Sequence, residues 1–357
     1  MKKLLSVAPK LNDVARLAGV GNATVSRVLN GRNNVSEDKT RRINRAIAEL
    51  NYRPNRIARS LKGAASGMIG MIIPSISDMF FSRCAEAVEI VARERGSLLI
   101  VMASHDDPVI EFENLEQLVL HRIDGLILSS AQTRNPRLHK QLLQMPIPVV
   151  GLDRPLQKAN LPSVMSENLE GARAATQHLL AHGYETVLCI HVKPELYTIA
   201  ERLRGYTEAM REAGLEPLLE NVESAAEAEA CIGKYVRVAK TTVAVFAANN
   251  LTARYTWEAL RRLQLTIPNE VAVLSFDDFD LADTLTPPMS VVQQQVEELG
   301  RNAADLLFQH MQYSIADRSP KNPDPLRLAT RLIVRESCGC VSQPSAIVCA
   351  RGGLTAL

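Results

Sequence analysis

The sequence predicts an all-α helix-turn-helix head followed by an α/β core of two doubly wound parallel-sheet subdomains. Three observations lead there. Residues 11–30 hold two short amphipathic helical patterns hinged at Ala18-Gly19-Val20. From Met68 onward, short continuous apolar runs alternate with helical stretches, which is the pattern of parallel strands covered on both faces. At 357 residues the chain also exceeds what one hydrophobic core fills, so two or three domains are expected.

In the first helix Val14, Ala15, Leu17 and Ala18 recur at helical spacing, and Val25, Val28 and Leu29 do so in the second, so the two stripes can pack together. Gly19 supplies the bend. The outward face of the second helix carries Asn22, Ala23, Ser26, Arg27 and Asn30, short or hydrogen-bonding groups suited to base edges and phosphates in a DNA major groove. An ordinary helical hairpin is the competing reading of these residues taken alone. Ser36 caps a third helix expected from about Glu37 to Asn51, with Lys39 where a capping box would place Glu or Gln. Ile43, Ile47 and Leu50 face inward, and Arg41, Arg42 and Arg45 face outward. Tyr52-Arg53-Pro54-Asn55 ends it, because Pro54 disfavours helix at Arg53, and residues 56–62 offer one more helical segment.

Charge divides the chain in the same place. Residues 1–62 hold 14 Lys and Arg against four Asp and Glu, a net +10, whereas the rest holds 27 against 35, a net −8. A basic head on an acidic body implies that only the head meets a polyanion.

In the body, strands are expected near residues 68–73, 98–102, 125–128, 149–152, 187–190, 243–247 and 271–275, with a last one near 332–335. Helical spacing marks residues 84–95, 111–120, 168–182 and 296–313. Such sheets bind ligands at the carboxyl ends of their strands, and two of them facing each other make a cleft that can close. The strand ends are polar: Asp78 after the first, Asp153 after the fourth, His191, Asn249 and Asp277 after later ones.

Several classes are excluded. There is no glycine fingerprint for a dinucleotide, no P-loop and no nucleophile elbow, so neither catalysis nor a cofactor is expected. No apolar run approaches the roughly 18 residues that span a bilayer. Residues 1–8 imitate a signal peptide but are too short and are followed by Lys10, so export is not expected. The six cysteines form no regular framework, which suits a reducing compartment. Cys338-Gly339-Cys340 lacks the spacing of a zinc half-site and no matching Cys or His pair stands out, so no metal is expected. His121, His178 and His182 are placed on the surface.

The head, the YRPN turn and the IARSLK segment resemble the lactose repressor (LacI/GalR) family of bacterial transcription regulators, over nearly the whole chain. The resemblance implies domains at 1–55 (DNA-binding head), 56–65 (hinge helix and linker) and 66–337 (effector-binding and dimerisation core), while residues 338–357, without a clear period, are expected to be a disordered tail. Within the core it implies an N-subdomain of about 66–165 and 290–322 and a C-subdomain of about 166–289 and 323–337, in the fold of periplasmic sugar-binding proteins. It assigns DNA contact to Asn22, Ala23, Thr24, Ser26, Arg27 and Asn30 in the head and to Asn55, Arg56, Ala58 and Leu61 in the hinge. Gly21 stands where the family caps the recognition helix with Ser or Thr, so Asn22 is asked to share capping with base reading. Arg27 is suited either to reading guanine or to clamping a phosphate. Leu61, between cations, would wedge into the minor groove, with packing on the core as the alternative.

By the same resemblance, Asp78, Phe80 and Gln294 line an effector pocket and Arg202-Leu203-Arg204-Gly205 supplies its arginine. With Asp153, His191, Asn249 and Asp277 this equipment fits a sugar, a sugar acid or a related metabolite. The expected partners are double-stranded operator DNA, a carbohydrate-like effector and a second copy of the chain, since the tail lacks leucine heptads for tetramers. A cytoplasmic, nucleoid-associated repressor is implied, with no membrane partner. A periplasmic binding protein, an enzyme and an architectural protein reading only phosphates are the competing classes. The basic head, the missing catalytic motifs and the expected base contacts count against them.

Overall fold

The computed structural model describes residues 9–29, 35–52, 65–131, 135–156, 161–239, 241–312 and 324–341. The chain divides into two units, residues 1–66 and 67–357.

The head holds α1 (Leu11–Ala18), α2 (Asn22–Leu29) and α3 (Glu37–Glu49). Val14, Ala15, Ala18, Val25, Ile43 and Ala46 form its buried core, and Val28, Leu29, Ile47 and Leu50 pack against it half-buried. Leu17 does not join this core. It is 47% exposed, because the α1 surface that meets its neighbours is only wide enough for the stripe through Val14 and Ala18. Gly19 closes α1 with φ at 62°, and the N–H groups of Gly19 and Val20 donate to the last turn of α1. Ser36 occupies the N-cap position of α3, but its side chain makes no capping bond. Asn30, Asn55, Arg56, Ala58 and Leu61, and with them the hinge segment, lie outside the described residues.

The core unit is built on two six-stranded sheets. The first orders β11 (Leu326–Leu328), β5 (Ser163–Ser166), β4 (Val149–Leu152), β3 (Gly125–Leu128), β1 (Met68–Ile73) and β2 (Leu98–Ala103), all parallel. The second orders β12 (Arg331–Ile333), β10 (Ser290–Gln293), β9 (Val271–Phe276), β8 (Val243–Ala247), β6 (Thr186–His191) and β7 (Leu218–Asn221). Only β12 runs antiparallel in it. The central strands of both are buried along their length, which is why they read as unbroken apolar runs.

Helices cover the sheets: α4 (Met79–Glu94), α5 (Pro108–Leu120), α6 (Pro136–Gln144) and α11 (Val296–Met311) on the first, and α7 (Asn168–Ala181), α8 (Tyr197–Glu212), α9 (Ala225–Val238) and α10 (Asn250–Leu263) on the second. Four strands, β5, β7, β10 and β11, were not among those expected. Each is short, and β7 and β11 lie at sheet edges with exposed residues, so neither an apolar run nor clean alternation marks them.

The chain passes between the sheets three times among the described residues: from β5 to α7, from β10 to α11 and from β11 to β12. Two expected subdomain limits are corrected by this. Residues 290–293 belong to the second sheet, because Val291 and Val292 are buried and pair with β9 and β12. Residues 326–328 belong to the first, paired with β5. The expected tail also begins too early. The Ser337 hydroxyl donates to Val273 O at 2.7 Å and accepts from Ser290 N at 2.8 Å, and Cys338 is fully buried. Residues 342–357 of that tail lie outside the described residues. His121 and His182 are exposed as expected, whereas His178 is half-buried.

Candidate functional site

The loops after β1, β2 and β4 of the first sheet and after β6, β8 and β9 of the second line a cavity of about 300 Å³. That is room for about ten waters, the size of a small polar molecule. Of the eight residues expected there, seven line it: Asp78, Phe80, Asp153, Arg202, Asn249, Asp277 and Gln294. His191 does not. It ends β6 beside Asn221 with its ring buried and Nδ1 without a hydrogen-bond partner among the described residues, and past β6 the cavity wall begins with Val192 and Lys193. Successive strand residues point to opposite faces, so nearness to a strand end does not fix which residue enters the site.

Arg202 is the centre of the second-sheet wall. From α8 its Nε donates to Asn168 Oδ1 at 2.8 Å and its Nη1 to the Ala248 carbonyl at 2.9 Å and to Asp277 Oδ2 at 3.1 Å. Nη2 lies 3.5 Å from Asp277 Oδ1, and the guanidinium stands 3.7 Å over the Phe276 ring. Asp277 in turn accepts from Gln294 Nε2 on the crossover after β10. Four of the five guanidinium N–H groups are thus engaged within the protein, which aims the planar head and leaves one for another acceptor.

On the first-sheet wall, Arg154 Nη1 donates to Asp106 Oδ1 at 2.7 Å and to the Ser130 carbonyl at 2.9 Å, while its buried Nε makes no hydrogen bond among the described residues and lies 3.7 Å from Asp153 Oδ2. Among the described residues, two hydrogen bonds join the cavity walls. Lys193 Nζ donates to Asp106 Oδ2 at 2.8 Å, and Asn250 Nδ2 donates to Asp78 Oδ1 at 3.2 Å. Asp78 and Asn249 also cap the helices that follow them, accepting from Phe80 N and Thr252 N, so these residues are at once caps and cavity wall.

The carboxylates are tuned apart. Burial pushes the Asp153 carboxyl up to about 6, against the pull of Arg154 and Arg202. Burial, and then Asp277, also raise Asp78. Asp106 is lowered, because Arg154 and Lys193 outweigh the opposing effect of burial. Backbone strain gathers here too. His105, Asp106, Asp153, Lys193 and Asp277, five of the eight non-glycine residues with positive φ among the described residues, all line the cavity. Such conformations persist only where the surroundings enforce them, and they cluster at binding sites.

His105, Asp106 and Lys193 were not singled out from sequence, and Arg154 and Asn250 were noted only as polar residues following Asp153 and Asn249. Their signal was present, since each lies within three residues of a strand end. Asn168 gave a weaker one, as the first residue of α7.

In the head, Asn22, Ala23 and Arg27 are exposed on α2, and Thr24 and Ser26 are half-buried. The Asn22 amide donates to Asn12 Oδ1 on α1. The Gly21 carbonyl accepts from Thr24 N and Val25 N to start the helix. This anchors the leading edge of α2 while its outward face stays open.

A three-helix head before a two-sheet cleft defines a class: regulators that join a helix-turn-helix to a periplasmic-binding-protein-like domain. Residues 10–55 match the bacterial regulatory proteins of the lacI family, and residues 176–338 match a periplasmic binding protein-like domain. The ribose operon repressor of Halalkalibacterium halodurans is 32% identical over 328 residues, 92% of this chain and 96% of that protein. A solved transcriptional regulator CelR–cellobiose complex is 30% identical with a TM-score of 0.66, covering 92% of this chain and 99% of that one. The lac repressor dimer bound to operator shares the fold, with a TM-score of 0.80 at 23% identity over 93% of this chain and 99% of that one. The chain belongs to the lacI family of bacterial regulatory proteins.

Proposed function

We propose that the protein is a sequence-specific repressor whose affinity for a palindromic operator is set by a neutral polyhydroxy molecule bound between the two sheets. Asn22, Ala23, Thr24, Ser26, Arg27 and Asn30 read the operator's major groove, and Asn55, Arg56, Ala58 and Leu61 serve the hinge in a homodimer. Asp78, Phe80, Asp153, Arg202, Asn249, Asp277 and Gln294 hold the effector, joined by Asp106 and Lys193. The protein acts in the cytoplasm, and regulation rather than turnover is its role, as in the relatives named as operon repressors.

The observation that carries the effector class is the cavity's charge. Four carboxylates, Asp78, Asp106, Asp153 and Asp277, face only Arg154, Arg202 and Lys193 among Lys and Arg side chains. Carboxylates accept hydrogen bonds from hydroxyls, whereas an anionic ligand would add charge to a site that already holds surplus acid. A sugar therefore fits better than a sugar acid. The relatives named ribose operon repressors and the cellobiose-bound regulator point the same way.

The test is a selection of genomic fragments bound by the full chain, followed by anisotropy measurements on the recovered palindrome with and without pentoses, hexoses and their acids. A neutral sugar should shift operator affinity at least fivefold, a typical coupling of about 1 kcal/mol or more. Arg202→Ala should bind operator normally and lose that shift. A normal response from Arg202→Ala, or a response to sugar acids alone, refutes the assignment.

A further inference from the structure

On the second sheet, away from the cavity, the last turn of α7 meets the segment that follows β12. His178 and His182, four residues apart on one helix face, stand against Cys338 and Cys340, which flank Gly339. His178 Nε2 lies 3.2 Å from Cys338 Sγ and 3.7 Å from Cys340 Sγ, and His182 Nε2 lies 3.1 Å from Cys340 Sγ. All four donor atoms lie within 4.8 Å of one another. We infer that His178, His182, Cys338 and Cys340 bind one zinc ion that clamps the C-terminal segment to α7.

The geometry is that of a tetrahedral Cys2His2 site. Zinc–nitrogen bonds of about 2.0–2.1 Å and zinc–sulfur bonds of about 2.3 Å place tetrahedral ligands about 3.3–3.8 Å apart. The separations here bracket that range, so side-chain movements of an ångström or less would close the shell. Two thiolates with two imidazoles select zinc over magnesium or calcium, which require oxygen ligands.

The surroundings support the ligands. The Ser290 hydroxyl lies 3.1 Å from Cys338 Sγ as a donor to the sulfur. The Tyr184 hydroxyl donates to the Cys338 carbonyl at 3.2 Å, and its ring stacks on His182 with centroids 5.9 Å apart. Gly339 has φ of 98°, and a Cβ there would run into the Tyr184 hydroxyl, so only glycine lets both cysteines turn toward the helix. Cys338 is buried and Cys340 half-buried, while His182 is exposed, which leaves a route for the ion from solvent. The expectation of no metal counted spacing along the chain. It could not see that a helical H-x3-H pair and a C-x-C turn 156 residues beyond it would meet.

The ligands span the far end of α7 from Asn168, whose side chain holds Arg202. At 1.5 Å per residue the two ends stand about 21 Å apart, so the site is separate from the effector cavity and independent of its reading.

The test uses the full chain, purified with reductant, stripped with chelator and titrated with Co2+ and then Zn2+. Expected are one ion per chain, the intense visible absorption of tetrahedral cobalt with a thiolate charge-transfer band, and bleaching of both by zinc. Bound zinc should also raise the Tm. Because Cys338 is buried, the variants are His182→Ala and Cys340→Ser at accessible positions, and each should weaken binding at least 100-fold while keeping operator affinity. Absence of stoichiometric binding, a six-coordinate cobalt spectrum, unchanged affinity in both variants, or a Cys338–Cys340 disulfide persisting in reductant would each overturn the assignment.

Discussion

Asp153 shows how one side chain can serve binding at the expense of stability. It sits buried at φ of 65°, and burial raises its carboxyl from the ordinary 3.8 to about 6. A raised native pKa means that the group's contribution to stability is whole below about 3.8 and is lost as pH rises through about 6. At neutral pH the ionised group therefore opposes folding by up to about 3 kcal/mol, at 1.36 kcal/mol per unit. Asp153→Asn should be more stable than wild type at neutral pH by up to that amount, with the difference vanishing near pH 4. Urea titrations of both proteins across this range measure it, and a difference independent of pH would refute the cause. Effector binding should respond in the opposite sense. Hydroxyls donating to the carboxylate favour its ionised form, so wild-type affinity should rise through about pH 6 and Asp153→Asn should bind more weakly.

At the scale of elements, the sequence revealed most where a strand is buried on both sides and least where it is short or at an edge. β1, β8 and β9 stood out as unbroken apolar runs, whereas β7 and β11, four and three residues long with exposed positions, carried no such mark. The residues of β10 and β11, next to the crossovers, were expected in the wrong subdomains because pairing across a crossover depends on contacts that periodicity does not encode. The same division holds in the site. Residue type and strand end marked Asp78, Asp153, Asn249 and Asp277, and the family resemblance supplied Phe80, Arg202 and Gln294, but face alternation excluded His191 and long-range pairing added Asp106 and Lys193. Gly205 is an element-scale case of the same kind. It follows Arg202 by one helical turn, and its reason is a close crossing: a Cβ there would overlap the Leu169 carbonyl of α7. Gly205→Ala gains roughly 1 kcal/mol of helix propensity, yet the backbone overlap forces α7 and α8 apart at about 1–3 kcal/mol or more. The variant should lose several degrees of Tm and weaken effector binding, because Asn168 and Arg202 lie on the two displaced helices. A Tm equal to or above wild type in calorimetry would show that the helices separate freely.

For the whole molecule, what matters is how the cleft holds its two walls. Asp106 reaches from the first sheet to Lys193 on the second, and Asn250 on the second reaches Asp78 on the first, so the walls are joined by polar bonds that bound ligand would reinforce. Lys193 is the informative member, since its side chain is 49% exposed and its ion pair adds little to folding stability. Lys193→Ala should leave the Tm almost unchanged but favour an opened cleft. If effector binds the closed arrangement, its affinity should fall several-fold, in proportion to the lost closed population. Operator must report the same shift, because coupling between two ligands is reciprocal at equilibrium. The ratio of operator affinities with and without saturating effector therefore has to equal the ratio of effector affinities with and without operator, in both wild type and variant. Titrating each ligand against the other measures all four constants. An unchanged effector affinity in Lys193→Ala would mean that the Asp106 bridge is a surface ion pair without a part in closure, and the control of operator binding would then have to run through the crossover at Gln294 and Asp277 instead.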